Sequence, residues 1–283
     1  MRRQLGSLPP GYVVHRVGAT WLVLDERVTG DLVRLRLADP AVRDGLFARA
    51  RRRGRGTTPT VAVNPETQVI LRRYRHGGLL AWLTGPLFLG PSRALKELEI
   101  TARAEALGAP VPHALLVILW PVLGPLWSAL IGTRMESQAT DLLESLSNSR
   151  ERVARQRLLR EVGAAVRRLH DAGVEHRDLQ LRNILVTREE TRRIVAVDLD
   201  RARFRRQGTL SASQRARNLG RLARSAVKAG LFEGILGKRE VAAFVAAYTG
   251  SDRALREELR GYVALEWLKL QAHRLTYPLR RIS

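Results

Sequence analysis

Apolar and polar positions divide the chain into two halves of different character. In the first half, Tyr12–Asp25 and Asp31–Leu37 carry strand-like patterns on either side of a loop, closed by Pro40, and Ala41–Arg53 is expected as a short helix. Thr60–Val63 and Gln68–Arg72 alternate with the two-residue period of strands, and Asn64-Pro65 supplies turn chemistry between them. A glycine pair then leads into an apolar segment, Leu79–Leu89. Ser92 can cap a helix over Arg93–Leu107, with Leu95, Leu98, Ala102 and Ala106 on one face and Gly108 and Pro110 as the stop. From Ala114 to Gly132 there is no charge. That approaches the roughly 20 apolar residues of a membrane span. Pro121, Gly124 and Pro125 interrupt it, so the pattern predicts a buried hairpin of Leu115–Trp120 and Leu126–Ile131.

The second half is dominated by the helical period. Ala139–Leu146 is expected as a short helix, and Arg150–Asp171 as a long one with Leu158, Val162, Ala165, Val166 and Leu169 on one stripe, ended by Gly173. His176–Asn183 is irregular. Ile184–Val186 and Ile194–Val197 form a small hairpin, and the chain from about Ser213 onward reads as helices. Strands with one helix, followed by helices with one hairpin, give a two-lobed α+β chain. The expected division is residues 1–135, including an extension over about 1–50, and residues 136–283.

Composition sharpens this. The 283 residues suffice for a substantial core, and 45% of them are hydrophobic, which excludes disorder by composition. The absence of cysteine excludes disulfides and cysteine-held zinc or iron–sulfur sites, and fits a cytosolic protein. The start, Met1-Arg2-Arg3, has no apolar core of a secretory signal behind it. Lys and Arg total 49 against 27 acidic residues, and nearly all of the cations are Arg, whose planar fork suits phosphate and carboxylate. A polyanionic partner is therefore expected: nucleic acid, an anionic membrane or a phosphorylated glycolipid. A basic surface serving solubility alone is the alternative.

The densest chemistry lies in Val174–Asn183, which contains His176-Arg177-Asp178-Leu179 and Asn183 and so matches the catalytic-loop pattern H-R-D-L-x-x-x-N of protein kinases. Phosphoryl transfer needs an activated hydroxyl and neutralised phosphates. Asp178 can accept the hydroxyl proton, and Asn183 can turn back to a metal. Asp198, at the end of the second hairpin strand, would return beside the loop and chelate Mg²⁺. Asp200, where protein kinases carry glycine, is either a further metal ligand or a partner for a nearby Arg. In the first half, Val69-Ile-Leu-Arg72 stands where kinases carry V-A-I-K, so Arg72 would replace the nucleotide-binding Lys and pair with Glu97, or with Glu99, on the following helix. Gly54 and Gly56 are either a remnant of the glycine-rich loop over the phosphates or a plain turn.

Several runs resemble one family more closely. Val69-Ile-Leu-Arg-Arg-Tyr-Arg-His-Gly-Gly78 is similar to a signature of the 3-deoxy-D-manno-octulosonic acid (Kdo) kinases, which share a superfamily with the heptose kinases of lipopolysaccharide. Ser92–Glu97, Pro110–Pro112, the catalytic loop, Asp198–Arg201 and Asn218–Ser225 continue the resemblance across roughly residues 50–230. It implies an α+β, bilobal protein-kinase-like fold, with a mainly β N-lobe holding one key helix and a mainly α C-lobe. It implies an ATP- and Mg²⁺-dependent enzyme, cytoplasmic and peripheral on the inner membrane, that phosphorylates Kdo on a lipid A precursor. Asp178, Asn183, Asp198, Arg72 and Glu97 occupy the family's motif positions. Gln180 departs from the Asn expected there, and no A-P-E follows Asp198, which argues against a peptide substrate. Arg201, Arg203, Arg205 and Arg206, with Arg217, Arg221 and Arg224 on one helical face, are the expected floor for an anionic acceptor, with Arg201, Arg221 and Arg224 its principal contacts. Leu79–Leu89 is either a membrane contact through Trp82 or a buried connector. The competing readings are a heptose kinase, an aminoglycoside- or choline-type kinase, and a non-catalytic polyanion-binding protein; nucleic acid is not the expected partner.

Overall fold

The computed structural model describes residues 8–50, 52–53, 56–74, 88–188, 191–205 and 208–262. Gly54, Arg206 and the segment through residue 87 with its Trp82 lie outside them. Two compact units emerge, Met1–Arg103 with Pro112–Met135, and Ala104–Val111 with Glu136–Ser283.

The first unit is built on an antiparallel sheet. Its strands are β1 (Tyr12–Val17), β2 (Thr20–Asp25), β5 (Thr60–Asn64), β6 (Thr67–Arg73), β7 (Phe88–Leu89), β8 (Ala114–Leu123) and β9 (Leu126–Arg134). They run in the order β1–β2–β8–β9–β6–β5, with β7 also paired to β9. A separate two-residue ladder joins β3 (Arg52–Arg53) to β4 (Gly56–Thr57), and places Gly56 in its backbone. Two helices precede it, α1 (Thr29–Arg34) and α2 (Pro40–Arg49), and α3 (Ser92–Ala106) follows β7.

Strand periodicity sends alternate residues of β2 and β8 to opposite faces. Leu22, Leu24, Leu116 and Ile118 join Leu32, Leu37, Val42, Leu46 and Phe47 from the α1–α2 region. Val23, Val117 and Leu119 join Ala94, Leu95 and Leu98 of α3. A strand covered on both faces has no polar side, which explains why Ala114–Leu119 is buried residue by residue and why the run looks like a membrane span in sequence. Among the described residues no helix is long and apolar enough to cross a membrane.

One expectation is corrected here. Asp31–Leu37, read as a strand, instead begins inside α1, which runs Thr29–Arg34. Val28, Leu32 and Leu35, at i, i+4 and i+7, meet the core along one helical face. Arg36, at φ 52°, turns the chain out of the helix, and Asp39 caps α2 by accepting from the backbone N–H of Ala41 at 2.9 Å.

The second unit is mainly helical. Its elements are β10 (Thr140–Asp141), α4 (Leu142–Asn148), α5 (Arg152–Asp171), β11 (Val174–Glu175), β12 (Ile184–Val186), β13 (Ile194–Ala196), β14 (Arg203–Phe204), α6 (Ala212–Lys228) and α7 (Lys238–Thr249). The apolar stripe of α5 packs into a core with Leu142, Leu146, Leu179, Leu181, Ile184, Leu222 and Tyr248. Helix α7 approaches α5 so closely that a Cβ at Gly163 would lie 2.5 Å from the Phe244 carbonyl oxygen. Beside it, Arg215 donates to Asp171 at 2.6 Å and to the Tyr248 hydroxyl at 3.2 Å. The same hydroxyl is hydrogen-bonded to Nδ1 of the buried His170, 2.7 Å away.

Candidate active site

The catalytic-loop residues are placed by two turns and a hairpin. Gly173, at φ 78°, reverses the chain after α5, and a Cβ there would meet the Gly208 and Arg205 carbonyl oxygens at 2.8 and 2.9 Å. Strand β11 then pairs with β14, Glu175 opposite Arg203. After the loop, β12 and β13 pair with Ile184 opposite Ala196. One step beyond that register the Val197 N–H donates to the Asn183 carbonyl at 2.9 Å. The hairpin thereby brings Asp198 back beside the turn that ends at Asn183.

Within the loop, His176 is a strut. It is fully buried, and one ring nitrogen faces the Val197 carbonyl at 2.9 Å while the other faces the Asp178 N–H at 3.3 Å. A carbonyl can only accept and an amide N–H can only donate, so the ring is neutral with its proton on Nε2. Burial lowers the pKa of His176 from its ordinary value, against the opposing pull of the Val197 hydrogen bond. The strut ties the Asp178 loop to the Asp198 segment.

Asp178 is then held by its own neighbours. Asn183 Nδ2 donates to the Asp178 carbonyl at 2.8 Å and approaches Oδ2 at 3.4 Å, and Gln180 Nε2 donates to Oδ2 at 3.2 Å. Gln180, a departure from the family pattern, thus takes part in fixing the carboxylate. The commitment of the Asn183 amide nitrogen leaves its Oδ1 for a cation. Asp198 is exposed and sits at φ 65°, ψ 62°, a left-handed conformation that Asp tolerates better than most residues. An amide oxygen and one carboxylate are a donor set that fits Mg²⁺, which takes most of its ligands from phosphates and water. Asp200 lies in the single 3₁₀ turn Leu199–Arg201 that follows.

Helix α6 docks on this loop through Ser225. Its Oγ accepts from the Leu181 N–H at 3.1 Å and donates to the Leu222 carbonyl at 2.7 Å. The residue was visible as the last of the Asn218–Ser225 run, but nothing local showed what it touches. Arg221 stands one turn before Ser225 on the same helix. Burial lowers its pKa from the ordinary value, the charges of Arg224, Arg177 and Arg217 push the same way, and Glu175 opposes them. Its Nη1 is buried with no hydrogen-bond partner among the described residues. Arg201, Arg203 and Arg205 are exposed on the segment after Asp198.

The first unit holds the other expected pair. Arg72, in β6, donates to Glu97 of α3 at 2.5 Å, and Glu97 is buried. Glu99 pairs with Arg103 instead, at 3.1 Å. The hydroxyl of the fully buried Tyr74 donates to the second oxygen of Glu97, a role sequence reasoning did not assign. The guanidinium of Arg72 also lies over the Tyr74 ring, 5.1 Å from its centroid.

Comparison with known proteins gives one consistent answer. The model of the lipopolysaccharide kinase (Kdo/WaaP) family matches residues 48–248. The chain is 30% identical over 202 residues to the 3-deoxy-D-manno-octulosonic acid kinase of Vibrio cholerae, covering 69% of this chain and 80% of that protein. It is 32% identical over 196 residues to the enzyme of the same name from Photobacterium damsela subsp. piscicida, covering 65% and 74%. A solved structure of WaaP in complex with acyl carrier protein superposes with a TM-score of 0.59 at 22% identity, over 89% of this chain and 98% of that one. The last match supports the kinase-like α+β fold.

Proposed function

The chain belongs to the lipopolysaccharide kinase (Kdo/WaaP) family and is a phosphotransferase, and from that premise we propose that it moves the γ-phosphoryl group of ATP to a hydroxyl of Kdo on a lipid A precursor. The reading rests above all on one observation: Asp178 is clamped by Asn183 and Gln180 while His176 ties its loop to the Asp198 segment. A carboxylate so oriented serves as the base that receives the acceptor's proton as the P–O bond forms. Asn183 and Asp198 would hold Mg²⁺, which neutralises phosphate charge when bound. Arg72, fixed by Glu97 and Tyr74, would grip nucleotide phosphates with its fork, and Gly54 and Gly56 would lie over those phosphates as a remnant of the glycine-rich loop. Arg201, Arg221 and Arg224 would take the carboxylate and phosphates of the acceptor. Such an acceptor lies in a bilayer, so the enzyme works as a peripheral protein on the cytoplasmic face of the inner membrane.

The test is kinetic. Asp178→Ala is expected to lower kcat by about 10²–10⁴-fold while nucleotide still binds. Asp198→Ala should weaken Mg-nucleotide binding as well as turnover. Arg221→Ala should raise the apparent KM for the Kdo-bearing lipid and leave that for ATP nearly unchanged. Turnover near wild type in Asp178→Ala would reject the base, and preference for a heptose acceptor over Kdo would reject the substrate.

A further inference from the structure

At one end of the seven-stranded sheet the chain exposes what it buries elsewhere. The β8–β9 turn runs Pro121-Val-Leu-Gly-Pro-Leu126 without a polar side chain. Val122 is 50% exposed and Leu123 75% exposed. Leu89 of β7 pairs with Leu126 and is 80% exposed. The β1–β2 turn lies at the same end, because Trp21 pairs with Leu119, and it presents Val17 at 57% exposure. Consecutive exposed apolar residues in a tight turn are costly for a soluble protein unless they serve a contact. Reversal needs only the turn chemistry of Gly124 and Pro125, and does not account for an exposed Val122 and Leu123.

The surroundings say what contact. Trp120 and Trp127 stand half-buried at the base of the turn, Trp127 opposite Pro121. Indole rings at the foot of an aliphatic tip suit the boundary between headgroups and acyl chains. The acid beside this end is Asp44 of α2, which is paired with Arg73, whose guanidinium lies 5.9 Å from the centre of the Trp120 ring. Residues 12–24, 88–96 and 114–135 contain no Asp or Glu. Exposed Arg16 lies over Trp21 at 5.0 Å, and Arg93 lies over Phe88 at 4.8 Å. Aliphatic side chains ringed by Trp and Arg, on strands that carry no carboxylate and with the neighbouring Asp44 neutralised by Arg73, complement an anionic bilayer better than an acidic protein groove.

We propose that the β8–β9 turn, with Leu89 and Val17 beside it, is a wedge that inserts into an anionic lipid surface. It deepens the proposed function by naming the element that brings the enzyme to a lipid-borne acceptor, and vesicle binding reads it without any turnover. The full chain should co-sediment with vesicles containing phosphatidylglycerol and far less with pure phosphatidylcholine, and added salt should weaken binding. Leu123→Glu should lower binding at least tenfold while turnover of a soluble, deacylated acceptor is retained. Because the chain has no cysteine, Leu123→Cys carries a single environment-sensitive dye. That dye should shift to the blue on vesicles, and the same dye at Val153→Cys, exposed in the other unit, should not. Equal binding by Leu123→Glu, no binding to anionic vesicles, or an unshifted dye at position 123 would overturn the wedge. So would a Leu123→Glu variant that loses self-association but keeps vesicle binding, since the tip would then be a contact between copies of this chain.

Discussion

Glu97 shows how much a single residue carries here. A buried carboxylate is stable only when hydrogen-bonded, and Glu97 accepts from Arg72 on one oxygen and Tyr74 on the other. Tyr74→Phe removes one of those donors without changing the packing volume. It should destabilise the fold by about 1–3 kcal/mol in urea titration and raise the KM for ATP, because Arg72 loses the fixed partner that aims it. An unchanged midpoint and KM would show that Tyr74 only fills space. His170 makes the residue-scale case for pH. Burial, with Arg215 nearby, lowers its pKa to about 3 from an ordinary value near 6.5. Between those values the unfolded chain binds a proton that the folded chain refuses. Stability therefore falls as pH drops from about 6.5 towards 3, and is unaffected by this group above that window. With about 1.4 kcal/mol per pKa unit, the loss amounts to several kcal/mol. Melting temperature measured from pH 7 to 4 should show the decline, and His170→Gln should flatten it.

Elements act on the site by close approach. Helix α6 meets the catalytic loop through the Ser225 hydroxyl on the Leu181 N–H. Ser225→Ala leaves that buried N–H without its acceptor and lets the loop shift. Turnover should fall by roughly tenfold with the KM for ATP nearly unchanged, since misplacement by a fraction of an ångström suffices for such a loss. Rescue by Ser225→Thr would separate a lost hydrogen bond from lost helix stability. Helices α5 and α7 meet at Gly163, where added carbon collides with backbone and not with a movable side chain. Gly163→Ala should destabilise by about 1–3 kcal/mol despite the higher helix propensity of alanine. A stabilised variant in thermal denaturation would contradict the packing.

For the whole molecule the open question is the segment ahead of the family match, which begins at residue 48. It is not an appendage. Strands β1 and β2 complete one edge of the sheet, and α1 and α2 contribute to a core with Leu24, Leu116 and Ile118. Deletion of residues 8–47 would expose a sheet face that is apolar along its length. The truncated chain should lose its cooperative thermal transition and aggregate, whereas an independent appendage would leave the transition intact.

The division between what was legible in sequence and what was not follows contact range. The closeness of Asp178 and Asn183 was legible because they lie within six residues, so their spacing carries the geometry, whereas the bond from Gln180 to Asp178 was not foreseen. The long helix α5, the β8–β9 hairpin and the β12–β13 hairpin were legible because periodicity and turn residues are local signals. Asp31–Leu37 was misread because a short aliphatic segment fits either period, and only the shared core of Leu32 and Leu35 with β2 and β8 selected the helix. The Arg72–Glu97 pair was expected from the kinase V-A-I-K position, but its choice over Glu99 depended on how α3 turns against the sheet. Tyr74 on Glu97, Ser225 on Leu181 and the exposed end at Leu123 and Leu89 could come only from tertiary structure. The first two join residues 23 and 44 positions apart, and Leu89 pairs with Leu126, 37 positions on; no local pattern encodes which distant partner a folded chain will supply.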